Sequence, residues 1–317
     1  MNLPPLSQHP LVSIVTPSFN QSAYLEQTIT SVLEQDYDRL EYLVVDGAST
    51  DGSLEIIRRY AKRLAWWVSE EDSGQAEAVN KGFSRARGEI VAWLNSDDYY
   101  LPGAISAAVS AFQKHPEALF IYGDMLAVDR DGRTTNRLTY RQLAIEDLLC
   151  FQIIGQPAVF MRREALERAG YLDPTYHCML DHQLWLRIAM LGPFVHIDRT
   201  WSAARYHPAA KNRARASEFG REAFKILEWA GTRAELAPVL ARNRRRARAS
   251  AHRVDARYLL DSDRPWPALV AWWRAFYTYP PTALARLNIL VSALLNLSGL
   301  GGLRAAYLRS RQARISR

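Results

Sequence analysis

The sequence predicts an α/β fold: a mostly parallel sheet flanked by helices, followed by a helical C-terminal appendage. Three observations predict it. Through the N-terminal third, short apolar runs alternate with segments of helical periodicity, the pattern of a doubly wound sheet. Several of these runs end abruptly in polar or turn-forming residues. Asn20, Asp46 and Asp97 all fall where such a run stops, the edge on which open α/β sheets bind ligands.

Taken in order, Leu11–Thr16 reads as a strand that Pro17 stops, because proline cannot donate to a ladder. Ser22 is placed to cap a helix with Leu25, Ile29, Val32 and Leu33 at helical spacing. Tyr42–Val45 is the second strand, ending in Asp46, and Gly47–Gly52 is a turn of small polar residues. Leu54, Ile57 and Tyr60 mark the next helix, and Leu64–Val68 a third short strand. Gln75–Ala86 reads as a helix with Ala78, Val79 and Phe83 inward. Ile90–Leu94 is an unbroken apolar run, as in a buried parallel strand, and it stops at Asn95-Ser96-Asp97-Asp98.

Beyond it come a helix at Pro102–Lys114, a strand at Leu119–Tyr122 and a hairpin turn at Asp131-Gly132. Gly155-Gln156-Pro157 is a rigid turn entering a strand that reaches Met161. Asp181–Met190 is a helix with Leu184, Trp185, Ile188 and Ala189 apolar, and Val195–Ile197 a last short strand. From about Ala214 the chain reads as helical and arginine-rich. Arg242–Arg253 is by default a solvated helix face, and two helices meet across a Ser-Asp-Arg-Pro turn between Ala256 and Pro280. Leu287–Leu303 carries no charge, yet its asparagines, serines and glycines leave it marginal against the ~20 apolar residues of a membrane span. It reads either as a packed helical hairpin or as an interfacial helix flanked by Arg286 and Arg304.

A chain of 317 residues holds one large domain and an appendage, and the division is expected as 1–213 and 214–317. A hydrophobic content of 48% with 23% charged residues is that of a globular protein. The two cysteines, Cys150 and Cys178, form neither a metal pattern nor a disulfide framework, which points to free thiols in a reducing compartment. Met1–Pro10 does not read as a secretory signal, so a cytoplasmic protein is expected. The net charge of +7 is uneven, with arginines crowded from Arg205 onward. That basic region suits an anionic surface at the inner membrane face. Its aromatics cluster in one helical pair instead of interleaving with the charges, which argues against nucleic acid.

Two adjacent carboxylates at the tip of a buried strand, Asp97 and Asp98, repel each other and invite a hard divalent cation carrying phosphates. Taken alone, the same residues read first as an acidic surface turn. The order VSIVTPSFN, LVVDGASTDGS, AVNKGFSRARGEIVAWLNSDD and LDHQLWLR, however, resembles the inverting family 2 glycosyltransferases of the GT-A fold, from about Leu11 to Lys211.

The resemblance implies a donor site for a nucleotide-diphosphate sugar, UDP-linked most often in that family. Pro17, Phe19 and Asn20 would form the floor under the nucleoside, and Asp46 would accept from a base N–H or a ribose hydroxyl. Gln75 and Lys81 would lie on the donor-side helix, with Lys81 either a phosphate contact or an ordinary surface lysine. The family's DxD-like motif falls on Asn95, Ser96, Asp97 and Asp98, an amide replacing the first acid, and Asp97 supported by Asp98 would hold Mg2+ or Mn2+. Asp181 would be the base that deprotonates the acceptor hydroxyl, although Leu180 replaces the acid that usually precedes it. His182 is the runner-up base, or else a helix-surface histidine.

Gln156 would line the acceptor pocket, while Arg205, His207 and Lys211 match a basic segment that closes over phosphates, with His207 also a candidate third metal ligand. Asp51-Gly52 would fix a turn and cap a helix, and Trp185 would pack its helix on the sheet. No QxxRW-type motif follows Asp181, so a single sugar addition is implied, to a glycan or lipid-linked acceptor in cell-surface polysaccharide assembly. Asn95 and Leu180 leave open a catalytically silent member of the fold that binds nucleotide sugar or scaffolds an assembly complex.

Overall fold

The structure, a computed structural model, describes residues 3–207, 215–300 and 302. The chain forms two compact units, Met1–Gln142 with Ile154–Arg205 and Leu143–Ile153 with Tyr206–Arg317. The division expected between 213 and 214 falls outside the described residues.

The first unit is built on one nine-stranded sheet. Its strands are β1 Val12–Ser18, β2 Leu40–Asp46, β3 Trp66–Ser69, β4 Ile90–Trp93, β5 Tyr99–Tyr100, β6 Phe120–Val128, β7 Thr134–Leu138, β8 Val159–Arg162 and β9 Phe194–Arg205. They run in the order β3-β2-β1-β4-β8-β6-β9-β5, with β7 paired to β6. The first four strands of that order are parallel, β8 is antiparallel to both neighbours, and β6 and β9 are again parallel. The expected α/β sheet is therefore a parallel half joined through β8 to a mixed half.

The helices are α1 Ser22–Leu33, α2 Ser53–Tyr60, α3 Gln75–Arg85, α4 Ala104–Lys114, α5 Ile145–Leu149, α6 Arg163–Ala169, α7 Leu180–Ala189, α8 Ala216–Gly231, α9 Ala237–Asp261, α10 Pro265–Thr278, α11 Pro280–Leu284 and α12 Leu287–Leu297. Leu25, Ile29 and Val32 of α1 and Ile105, Val109 and Phe112 of α4 share one core with Val12, Ile14, Val44, Ile90 and Ala92 of the sheet. Val15 alternates to the opposite face. There a Cβ on Gly82 of α3 would stand 2.3 Å from Val15, so only glycine lets α3 lie this close to β1. Helices thus cover both faces of the parallel half.

Pro17 does not stop β1, which continues through Ser18 in register with Asp46 of β2. Pro17 points its backbone the same way as Val15, towards β4, and that ladder ends at the Val15–Trp93 pair. No neighbour there needs its missing N–H. Nor does Ser22 cap α1; it is the first helical residue, and its N–H is taken by the Asp51 carboxylate at 2.8 Å. β6 and β9 run further than their apolar residues suggest. Exposed Asp198 and Arg199 break the alternation of β9, and the β6–β9 register shifts around Gly123, where a Cβ would meet the Arg199 carbonyl at 2.6 Å.

In the second unit α8 crosses α9 where Gly220 leaves no room for a side chain: a Cβ there would lie 2.3 Å from the Asp255 carboxylate. Phe219 stacks on Tyr258 beside that crossing, at 3.6 Å between centroids. A small core joins Ala256 and Leu260 to Ala268, Trp272 and Ala275 of α10, Ala283 of α11, and Ile289 and Ala293 of α12. The arginine run is in part the solvated face expected of it, with Arg242, Arg244, Arg245 and Arg248 exposed. Arg246 instead pairs with Asp147 of α5 at 3.0 Å, and Arg253 donates to the Phe151 carbonyl at 2.8 Å. Among the described residues, no helix is long and apolar enough to cross a membrane.

Candidate active site

The C-terminal ends of β1, β2 and β4 lie side by side, because β1 is central and its register sets Ser18 against Asp46 and Val15 against Trp93. The site is built on this edge. Past Trp93 the chain turns at once, with the Asp98 N–H bonded to the Asn95 carbonyl at 3.0 Å. Thr28 of α1 holds the turn from below, its hydroxyl 2.9 Å from the Ser96 carbonyl and 2.6 Å from that of Asp98.

Asn95 is the hub. Its Oδ1 accepts from Gln75 Nε2 at 2.6 Å, at the start of α3, and its Nδ2 donates to Gln156 Oε1 at 3.0 Å and to Asp98 Oδ2 at 3.3 Å. Gln156 is fixed in turn by donating to the Trp93 carbonyl at 2.8 Å. Three residues expected in separate donor and acceptor roles thus form one network.

Asp98 is buried and Asp97 half-buried. Burial, and then the charge of Asp97, push the Asp98 carboxyl well above the usual carboxylate range, against the pull of hydrogen bonds from the Arg205 N–H and Asn95. The pair fits a metal. Carboxylate oxygens of Asp97 and Asp98 beside an amide suit a hard cation of the Mg2+ or Mn2+ kind, and a divalent charge would offset the repulsion between them.

Arg205 was expected to reach phosphates, but it is buried at the end of β9 and used internally. Its N–H holds Asp98 Oδ1 at 2.9 Å and its Nε the Asp97 carbonyl at 3.1 Å. The rest of its guanidinium donates to the carbonyls of Asp129 and Arg130 and to Gln27, and it lies 4.6 Å from the centre of the Tyr24 ring. Arg205 therefore acts as the foundation of the acidic turn. Lys81 is also paired, its ammonium 2.8 Å from Glu70. His207 belongs to the second unit, and Lys211 lies outside the described residues.

At the end of β2, Asp46 is fully buried and its carboxylate accepts from the Ser49 N–H at 2.9 Å, the Ser49 hydroxyl at 2.5 Å and the Ser69 hydroxyl at 2.7 Å. Asn20, at a positive φ of 51°, bridges to the same loop through Ser49 and Thr50. Asp51 binds Ser22 and Ser53. Burial works against its ionisation, yet these hydrogen bonds prevail and draw its carboxyl down to about 2. Phe19 is 62% exposed beside this loop. Asp72, which sequence reasoning passed over, completes the group: a Cβ on Gly47 would stand 2.8 Å from its Oδ2 and 3.3 Å from the Phe19 ring. Burial raises the Asp72 carboxyl above its ordinary value. The signal available was its place in Glu70-Glu71-Asp72, just before Ser-Gly-Gln.

Asp181 is half-buried in the first turn of α7 and accepts the His182 N–H at 2.7 Å, in the place where the helix dipole favours a carboxylate. His182 is buried, not on the helix surface. One turn on, Trp185 stacks on Trp93 of β4 at 5.3 Å, so α7 is seated on the strand that ends in the acidic turn. Asn80 of α3 adds a two-way amide clasp to the backbone of Leu172, at 2.8 and 2.9 Å.

Residues 13–170 match the profile of glycosyl transferase family 2. Over 189 residues the chain is 33% identical to the putative teichuronic acid biosynthesis glycosyltransferase TuaG of Bacillus subtilis, a match covering 58% of this chain and 73% of that one. The chain belongs to glycosyl transferase family 2. It is thereby a glycosyltransferase. A second relative, the O-antigen biosynthesis protein RfbC of Myxococcus xanthus, is 32% identical over 58% of this chain, but the match spans just 15% of that longer protein.

Among solved structures, the mannosyltransferase PcManGT of Pyrobaculum calidifontis, in complex with GDP-Man and Mn2+, superposes with a TM-score of 0.63 at 21% identity, covering 99% of this chain and 89% of that one. Residues 1–349 of TarS of S. aureus, in complex with UDP-GlcNAc, give a TM-score of 0.58 at 16% identity, covering 86% and 90%. At these identities the likeness is one of fold, and the family 2 enzyme has the GT-A fold of these neighbours.

Proposed function

We propose that this family 2 enzyme transfers one sugar, with inversion, from a nucleoside diphosphate sugar to a glycan or lipid-linked acceptor in cell-surface polysaccharide assembly, working on the cytoplasmic side of the membrane. The observation that carries the reading is the Asn95 hub, which ties Gln75, Gln156 and Asp98 together at the end of β4. The first compact unit is the catalytic domain, and the second is the helical, arginine-rich region attached to it. The relatives named for teichuronic acid and O-antigen biosynthesis support the class of product. The neighbours holding UDP-GlcNAc and GDP-Man support the class of donor, with UDP the first candidate.

Within this reading Asp97 and Asp98 hold Mg2+ or Mn2+, which when bound screens the donor diphosphate and the charge left on the departing nucleotide. Phe19, Asn20, Asp46 and Asp72 surround the nucleoside. Asp181 takes the proton from the acceptor hydroxyl as its oxygen attacks the anomeric carbon, and Gln156 borders the acceptor. Attack from the face opposite the leaving nucleotide in one displacement inverts the anomeric centre.

The test is nucleotide release from UDP-sugars and GDP-mannose with Mn2+, comparing wild type with Asp181→Asn. General-base loss lowers turnover by about 10²–10⁴-fold, while the thermal shift given by nucleotide with Mn2+ stays unchanged. Equal turnover by both proteins would remove Asp181 from the mechanism.

A further inference from the structure

The second unit presents two apolar stripes to solvent. On α10, Trp266, Trp273 and Tyr277 are 63%, 40% and 77% exposed. Their spacing of seven and four residues sets them on one face, opposite the Ala268, Ala271, Trp272 and Ala275 that fill the core. On α12, Leu287, Val291 and Leu294 are 46%, 53% and 48% exposed at the same kind of spacing, opposite buried Ile289 and Ala293. A helix that is apolar all round belongs either in a core or in lipid, and here each helix has just one side in the core.

Charge selects the occupant. Residues 264–317 contain eight arginines and no aspartate, glutamate, lysine or histidine, so they carry +8. The whole chain carries +7, which leaves 7 − 8 = −1 for residues 1–263. Arg264, just before α10, Arg274 within it and Arg286, just before α12, are all exposed. A second copy of the chain would bring like charge to like charge, whereas an anionic bilayer offers both the apolar layer and the opposite charge. Tryptophan and tyrosine are also the side chains that settle at headgroup depth.

We propose that α10 and α12 form a docking surface for an anionic phospholipid membrane, the aromatic and aliphatic stripes entering the interface while the arginines meet lipid phosphates. The proposal stands independently of the sugar-transfer reading, since its readout is binding to vesicles without donor or acceptor.

The experiment is co-sedimentation of the full-length protein with vesicles of phosphatidylcholine alone or mixed with phosphatidylglycerol. Binding is expected to the mixed vesicles, with release as salt shortens the Debye length from about 10 Å at 0.1 M to about 3 Å at 1 M. Replacing Trp273, Tyr277, Val291 and Leu294 with serine is expected to weaken binding about tenfold or more, with circular dichroism unchanged because all four are exposed. Arg264→Gln, Arg274→Gln and Arg286→Gln are expected to cost about fivefold each. The idea is overturned by equal binding to both vesicles, by no binding, or by a concentration-dependent dimer that the serine variant abolishes, which would make a second copy the occupant.

Discussion

Trp185 stacks on Trp93 with 5.3 Å between ring centroids and 27° between ring planes. Trp93 stands two residues before Asn95, and Trp185 one helical turn after Asp181. The ring pair therefore packs the helix that carries Asp181 against the strand that leads into the acidic turn. Phe120 of β6 extends the stack on the other side of Trp185, at 5.5 Å.

Trp185→Ala is expected to destabilise the protein by about 3–5 kcal/mol, the cost of emptying a fully buried aromatic site. Trp185→Phe keeps most of that burial but changes the contact with Trp93. It is expected to leave the denaturation midpoint within reach of wild type while lowering kcat more than it raises donor KM. Urea unfolding together with steady-state kinetics separates the two effects.

Asn95→Asp inserts the acid that the family motif has at this position. The result should be a loss, since a carboxylate cannot donate to Gln156 and Asp98 as the Asn95 amide does, and it crowds a third charge against Asp97 and Asp98. The variant is expected to lose about 1–3 kcal/mol of stability in the presence of chelator. Mn2+ should restore part of that, giving the variant a larger metal-induced shift in Tm than wild type. An equal shift in both proteins would show that the metal sits elsewhere.

These cases also show how far the sequence could be read. Ile90–Leu94 announces a buried strand by itself, because that signal is local, whereas the acidic turn that ends it reads as a site only in company with the other motifs. The bond from Asn95 to Gln156 spans 61 positions, and that from Arg205 to Asp98 spans 107. No spacing rule encodes either, so Arg205 read as a phosphate hand when it is a strut. Asp72 was hidden for the same reason: within Glu70-Glu71-Asp72 it resembles solvated charge, and only the fold sets its carboxylate beside Gly47. In β9 the exposed Asp198 and Arg199 erased the period of two that would have shown its full length.

Gly47→Ala probes that hidden contact. The added methyl would stand 2.8 Å from Asp72 Oδ2 and 3.3 Å from Phe19, so both side chains must give way. The φ of Gly47 is not among the positive ones, and the backbone itself accepts alanine. The expected result is a folded enzyme whose donor KM rises several-fold with kcat little changed. Donor titrations by calorimetry check it, and an unchanged affinity would place the nucleoside away from Gly47.

His252 gives the stability a dependence on acid. Burial, then the charges of Arg274 and Arg248, lower its imidazole from 6.5 to about 4 in the folded protein, where it packs edge-on against Phe224 at 4.8 Å. Between those values the unfolded chain binds the proton more readily than the folded one, so stability falls as pH drops from about 6.5 towards 4 and is untouched above that range. Allowing for partial exposure, the loss is about 1–3 kcal/mol. His252→Gln keeps a polar side chain of similar size without the titration, and its urea midpoint is expected to be flatter than that of wild type across this window. Parallel pH profiles for the two proteins would mean that other groups carry the acid limb.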